Sequence, residues 1–240
     1  MIYAKSADAI ICPSEFTKNE LIRTIGVNAQ KINVIPNGVD HNLFKPRDKI
    51  VTRKRLGLPL DKRIVLHVGS ELPRKNIDTL IKAFQILSTR MPKKVLLVRV
   101  GQQTNKMKKL IKSYNLEEFI LHFNVRPRNE LPYFFNAADV AVYPSTYEGF
   151  GIPPLEAMAS GCPIITGNRT SLPEVVGDAG ILVDPLDDKL MAEKIEMVLE
   201  NHKLREDLIM KGIKRAATYT WEKCAEAHIN FYRRVAMLSG

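Results

Sequence analysis

The sequence predicts an α/β fold built on a doubly wound parallel sheet, and two observations carry that expectation. From Arg63 onward, strand-like and helix-like segments alternate, and chains of that pattern bury their apolar faces as βαβ units. The run at 63–68, Arg-Ile-Val-Leu-His-Val, is almost continuously apolar, as a strand covered on both faces must be.

Taken in order, residues 7–12 give a short strand signal. Pro13 and Ser14 then lead into a helix over 15–25, with Ser14 as N-cap and Gly26 as stop. Residues 31–35 form a second strand, closed by the turn residues Pro36, Asn37 and Gly38. After the strand at 63–68, apolar side chains at Ile77, Leu80, Ile81, Phe84 and Leu87 keep a helical period. A strand over 95–100, a basic helix over 104–114, a strand over 119–123, a short helix over 130–136 and a strand over 139–143 follow. Beyond the helix opened by Pro153 and Pro154 come strands at 162–166 and 180–183, with a turn or short helix at 173–176 between them. Helices are expected over 189–200, 203–217 and 221–237. The last would align Trp221, Ala225, His228, Phe231, Tyr232 and Val235 on one face. There is no internal repeat and no low-complexity linker.

At 240 residues, 45% hydrophobic and 26% charged, the chain has room for a substantial core and an ordinary soluble composition. No apolar run approaches the roughly 20 residues that span a bilayer, and the N-terminus shows no charged-then-apolar leader. Cys12, Cys162 and Cys224 are odd in number and far apart, which suits a reducing compartment better than a disulfide framework or a zinc site. The net charge of +10 gathers in 45–63 and 93–112. These runs are read as solvated faces, with an anionic membrane surface as the functional alternative. Nucleic acid is not expected, because no aromatic side chains interleave the basic ones.

The chemistry is expected between Tyr143 and Thr166. Glu148 and Glu156 stand eight residues apart, the first on a strand-to-helix loop with Gly149, Phe150 and Gly151, the second about one turn into a helix that stops at Gly161. Glycines and a helix N-terminus suit an anion, whereas the carboxylates suit hydroxyls, so an extended ligand with phosphates between two polyol groups fits both. A second loop, 69–76, reads Gly-Ser-Glu-Leu-Pro-Arg-Lys-Asn. Arg74 and Lys75 are misplaced for a helix start unless an anion binds there. His67 is read as a satisfied core histidine and Asp139 as a structural turn residue. No Asp-x-Asp is present to hold a divalent metal.

The stretch from Glu148 to Glu156, Glu-Gly-Phe-Gly-Ile-Pro-Pro-Leu-Glu, followed by Ala-Met-Ala-Ser-Gly, resembles the Glu-x7-Glu signature of the retaining nucleotide-sugar glycosyltransferases of family 4. Val34 to Asp40, Val68 to Asn76, Ala138 to Val140 and Leu172 to Gly177 resemble further motifs of that family, in its order and over nearly the whole chain. The resemblance implies a GT-B fold. Residues 39–218 would form its Rossmann-like, donor-binding C-terminal domain, and 1–38 the remnant of an N-terminal, acceptor-side domain most of which is absent. Residues 219–240 would cross back to that domain, leaving apolar surface that invites self-association.

The resemblance also implies transfer of a hexosyl group, with a lean to mannosyl, from a GDP-, UDP- or ADP-sugar to a glycan or lipid-linked acceptor with retention. Neither cofactor nor metal would be needed. The setting would be cytoplasmic, peripheral on the membrane face. Glu148 would be the catalytic residue, holding sugar hydroxyls, and Glu156 would hold the ribose. Arg74, Lys75 and the backbone of Gly149, Phe150 and Gly151 would take the diphosphate, and Val125 and Arg126 the base. Ser70 stands where many members carry arginine, so its part in donor binding stays open. The alternatives are a non-catalytic nucleotide-sugar binding fragment and a GT-B nucleotide-sugar epimerase.

Overall fold

The computed structural model describes residues 2–238. Two parallel sheets are present. β1 (Ile10–Cys12) and β2 (Ile32–Val34) pair with each other alone, Ile10 opposite Ile32. The large sheet has six strands, β3 (Arg63–Val68), β4 (Val95–Val100), β5 (Ile120–Phe123), β6 (Val140–Tyr143), β7 (Ile164–Gly167) and β8 (Ile181–Val183), in the order β5-β4-β3-β6-β7-β8. The winding reverses between β3 and β6, which makes the crevice beyond their carboxyl ends the topological switch point of the sheet.

Side-chain alternation along the strands splits the core in two. Ile64, Leu66, Ala141, Tyr143 and Ile164 face one way and pack with Phe134, Phe135, Leu155 and Met158 from helices Leu131–Ala137 and Ile152–Ala159. Val65, Val140, Val142 and Ile165 face the other and pack with Leu80, Phe84 and Leu87 of Ile77–Arg90 and with Ile195 and Val198 of Asp188–Glu200. The near-continuous apolar strands thus follow from burial on both faces.

Asp139 fastens the switch pair at its amino end. Its N–H donates to Ile64 O at 2.8 Å, and its Oδ2 accepts from Ile64 N at 2.7 Å and from Arg53 Nη2 at 2.7 Å, while Lys49 Nζ reaches Oδ1 at 3.0 Å. Arg53 lies on a helix, Lys49–Leu56, that the sequence pattern does not announce. The reading of 45–63 as a solvated face holds for Lys45, Lys54, Arg55 and Arg63, which are exposed, but not for Arg53. Arg53 is buried, also donating to Ala137 O and Lys62 O, and Arg47 and Arg55 lie over the Tyr133 ring at 5.2 and 4.0 Å. Arg53 thus serves packing at the base of the sheet.

Near the N-terminus, Ser14 accepts from Thr17 N as an N-cap and Gly26 ends the helix in the left-handed region, φ 73°, with the last five residues wound as a π-helix. A short helix, Ile2–Ser6, precedes β1. The last helix, Trp221–Leu238, packs Cys224, Ala227, Phe231 and Val235 against Ala9, Ile11 and Ile35. Its buried face is therefore rotated from the expected one. Trp221, Ala225 and Tyr232 point outward, because the first apolar residue of the face is Cys224 and not Trp221. At Gly38 an added Cβ would sit 2.3 Å from Trp221 N, so glycine is what lets the segment leaving β2 cross the start of this helix.

Burial works to raise the Asp139 carboxyl, but Lys49, the Ile64 N–H and Arg53 outweigh it and hold the group below the usual carboxylate range. A depressed folded pKa contributes stability that is present above the unfolded pKa near 4 and is lost as pH falls through the folded one. Arg53→Met is expected to cost about 3–5 kcal/mol, measured by urea unfolding at pH 7, because it strips a buried carboxylate of its buried cation. A loss under about 1 kcal/mol would show that Lys49 and water suffice.

Candidate functional site

The loops that follow β3 and β6 meet at the switch point. In the first, Leu72 leads into a one-turn 3-10 helix, Pro73–Lys75, and Asn76 takes φ 51° before the helix Ile77–Arg90 begins. This turn brings Arg74 and Lys75 side by side onto Glu148 from the second loop. Lys75 Nζ lies 2.5 Å from Glu148 Oε1, and Arg74 Nη1 lies 3.0 Å from Oε2. Thr146 N also donates to Arg74 O, so the two loops are stitched by backbone as well as by charge. Glu148 and Lys75 are largely buried, whereas Arg74 is more open.

Glu156 has a different environment. Its side chain is 5% exposed, and Arg128 Nη2 lies 2.7 Å from Oε1, off the angle a hydrogen bond needs, so that oxygen stays buried without one. Burial pushes the Glu156 carboxyl up to about 7 against the opposing charge of Arg128. Both carboxylates act on Tyr143, whose buried hydroxyl is unpartnered. Burial, then the charges of Cys162, Glu156 and Glu148, raises its pKa well above 10, so the phenol stays protonated.

The expected residues divide into groups. Arg74, Lys75 and Glu148 come together, and Glu156 enters the site with Arg128, a partner the sequence reading did not identify. Gly149, Phe150 and Gly151 border the Glu148 side, but the Phe150 ring is buried against Tyr219 at 5.8 Å, which leaves only its backbone to offer a ligand. Gly151, at φ 118°, opens the helix Ile152–Ala159. Ser70, Val125 and Arg126 are exposed at the same edge. Val125 is 75% exposed, and Arg126 lies 5.5 Å from the Phe123 ring centroid and 4.0 Å from Glu130.

The sequence reading also passed over Arg99 and Glu71. Arg99 is fully buried in β4. Its guanidinium donates to Glu71 Oε1 at 3.0 Å and to Gly69 O at 3.3 Å, and Glu71 Oε2 in turn accepts from Thr104 N and Oγ1. The network ties the loops after β3 and β4 together. An arginine inside a strand covered on both faces was the signal available, because such a charge demands a partner. His67 stands opposite Arg99 in the sheet. It is buried as expected but not satisfied, since Nδ1 has no partner, and burial, Arg99 and Lys75 lower its pKa to about 3, which keeps it neutral. Among the described residues no cluster of His, Cys, Asp or Glu could hold a metal, and no helix is long and apolar enough to cross a membrane.

A carboxyl that titrates near 7 when folded and near 4.5 otherwise binds its proton more tightly in the folded state, so its contribution to stability falls as pH rises through that window. Glu156→Gln is expected to remove this slope, seen as a flatter dependence of Tm on pH between about 5 and 7 than in the wild type. Arg128→Gln should raise the Glu156 pKa further, which carboxyl NMR titration would read directly. Coincident wild-type and Glu156→Gln profiles would refute the assignment.

Comparison with known proteins gives the family and the fold. Residues 48–215 match the model of the glycosyl transferases group 1, and residues 1–43 match that of glycosyltransferase family 4. The chain is 35% identical over 233 residues to the O-antigen chain mannosyltransferase B of Escherichia coli, covering 95% of this chain and 61% of that protein. It is 29% identical to a D-inositol 3-phosphate glycosyltransferase of Corynebacterium diphtheriae, covering 97% and 57%. The chain thus spans about three fifths of the length of these curated relatives. Sucrose-phosphate synthase from Thermosynechococcus elongatus superposes with a TM-score of 0.89 at 28% identity, over 99% of this chain and 60% of that one. Anabaena HepE in complex with UDP and glucose superposes at 0.86 and 22% identity, over 96% and 64%, a likeness of fold alone. The six-stranded parallel sheet is that of the C-terminal domain of GT-B glycosyltransferases, and the chain belongs to the group 1 glycosyltransferases.

Proposed function

We propose that residues 39–218 form the donor site of a retaining hexosyltransferase that takes a nucleoside-diphosphate sugar, without metal, and delivers it to a glycan or lipid-linked acceptor. The observation that carries this reading is the meeting of Arg74, Lys75 and Glu148 at the switch point, two cations and a carboxylate contributed by the loops after β3 and β6. A diphosphate entering there would take over the two cations and free the carboxylate for sugar hydroxyls. As the bond from the anomeric carbon to the diphosphate oxygen breaks, negative charge grows on the departing phosphate. Arg74, Lys75 and the N–H groups of Gly149 to Gly151 are suited to stabilise it. Glu148 would hold the ring in place for attack on the same face.

Glu156, buried one turn into the next helix, would take the ribose hydroxyls, with Val125 and Arg126 beside the base and Ser70 at the rim. The D-inositol 3-phosphate relatives and the O-antigen mannosyltransferase support a polyol or glycan acceptor, and the latter supports mannose as the sugar. A cytoplasmic setting, peripheral to a membrane, suits the lipid-linked acceptor.

Calorimetric titration without metal against GDP, UDP and ADP, then against their sugar conjugates, tests the reading. One base should bind, and Lys75→Ala and Glu156→Ala should each weaken it about tenfold, the worth of one charge-assisted hydrogen bond. Wild-type affinity in both variants would sink the site assignment.

A further inference from the structure

The segment carrying Glu148 is held by hydroxyl groups. Glu148 N donates to Thr170 Oγ1 at 3.1 Å, and Ser171 Oγ shares its proton between Glu148 O and Phe150 O, each at 2.8 Å. From the other side Ser14 Oγ and Thr17 Oγ1 reach Gly149 O at 2.7 and 3.0 Å. Ser14 and Ser171 are fully buried. None of these bonds uses the N–H groups of Gly149, Phe150 or Gly151.

Thr170 makes its bond from a costly conformation. Its φ is 61°, in the left-handed region that branched side chains avoid. Among the described residues four non-glycine positions have positive φ; two are asparagines, one is Lys93, and Thr170 alone is β-branched. Glycine or asparagine would satisfy the backbone there more easily. What glycine would lack is the hydroxyl on Glu148 N.

We propose that Thr170 is a positioning residue for recognition of the transferred sugar. It spends backbone strain to fix the Glu148 peptide, and so the direction in which the carboxylate leaves the loop between Lys75 and Arg74. The inference rests on the donor-site reading above. Because Thr170 hydrogen-bonds the Glu148 N–H and none of the groups proposed to take the diphosphate, its influence is expected on the sugar more than on the diphosphate.

The test compares wild type, Thr170→Ser and Thr170→Gly by thermal melting and by affinity for two probe pairs, UDP with UDP-glucose and GDP with GDP-mannose. The serine variant keeps the hydroxyl, and its ratio of sugar-conjugate to nucleotide affinity should equal that of the wild type. The glycine variant should melt no lower than the wild type, because relief of strain offsets the freer unfolded chain. Its affinity ratio should nevertheless fall about threefold to tenfold with nucleotide affinity unchanged, as the loss of one hydrogen bond predicts. An unchanged ratio in Thr170→Gly overturns the inference alone. A lower Tm with both affinities reduced alike makes Thr170 merely structural and also overturns it. A wild type that binds none of the four probes overturns the donor-site reading and this inference together.

Discussion

The carboxylate of Asp139 is the contact on which the arrangement of the site depends. β3 and β6 share a short register, Val65 opposite Val140 and Leu66 opposite Ala141, and across this pair the winding of the sheet reverses. Asp139 bonds Ile64 through both its N–H and its side chain and gathers Arg53 and Lys49 below the strands. Strands held at one end direct the loops at the other. The turn bearing Arg74 and Lys75 leaves β3, and the turn bearing Glu148 leaves β6, so their convergence follows from the pairing of these strands. The buried ion pair is expensive to form in isolation. Here it is combined with backbone bonds that fix which two strands lie side by side.

Above that base, short polar side chains do what regular secondary structure cannot. A glycine-rich loop has few bonds of its own, and its freedom would blur the direction of any side chain it carries. Hydroxyls from Ser14, Thr17, Thr170 and Ser171 remove that freedom. Ser14 and Thr17 lie far away in sequence, at the start of the helix that follows β1, and Glu174 accepts from Glu15 N and Phe16 N at the same helix start. The segment around β1 is therefore bonded directly to the loop that presents Glu148, and a shift of that segment would be felt at the carboxylate.

The large sheet was legible because its signals are local and redundant. The span of β3 and that of β4 coincide with their apolar runs, and Gly26, Pro153 and Gly161 mark helix ends by chemistry that needs no tertiary context. Helix Lys49–Leu56 was not legible, since its basic composition suggests a solvated surface; only the fold shows Arg53 reaching Asp139, 86 residues away. The same limit applies at the site. Glu148, Glu156, Arg74 and Lys75 stand out because their types are odd for their local positions. Arg128 and Thr170 do not, because their roles arise from partners that come near only after folding. The face of the last helix was misjudged for a simpler reason. Trp and Tyr have apolar bodies that sit as readily at an exposed edge as in a core, whereas Cys224 is small and easily passed over as a core residue.

The charges at the switch point meet in ion pairs, Glu148 with both Lys75 and Arg74, and Glu156 with Arg128. Each pairing lowers the cost of a charged carboxyl in a poorly solvated place, although at Glu156 burial outweighs Arg128. On the proposed reading, an entering donor exchanges partners instead of simply filling a gap. Its diphosphate offers the cations an anion, and its hydroxyls offer the carboxylates donors. A phosphate alone would take the cations and strand Glu148, whereas a sugar alone would have to compete with two cations for it. Only a ligand carrying both groups at the right separation satisfies all the charges it disturbs. Selectivity for a nucleoside-diphosphate sugar over its parts would then reside in these ion pairs as much as in any contact the bound donor makes.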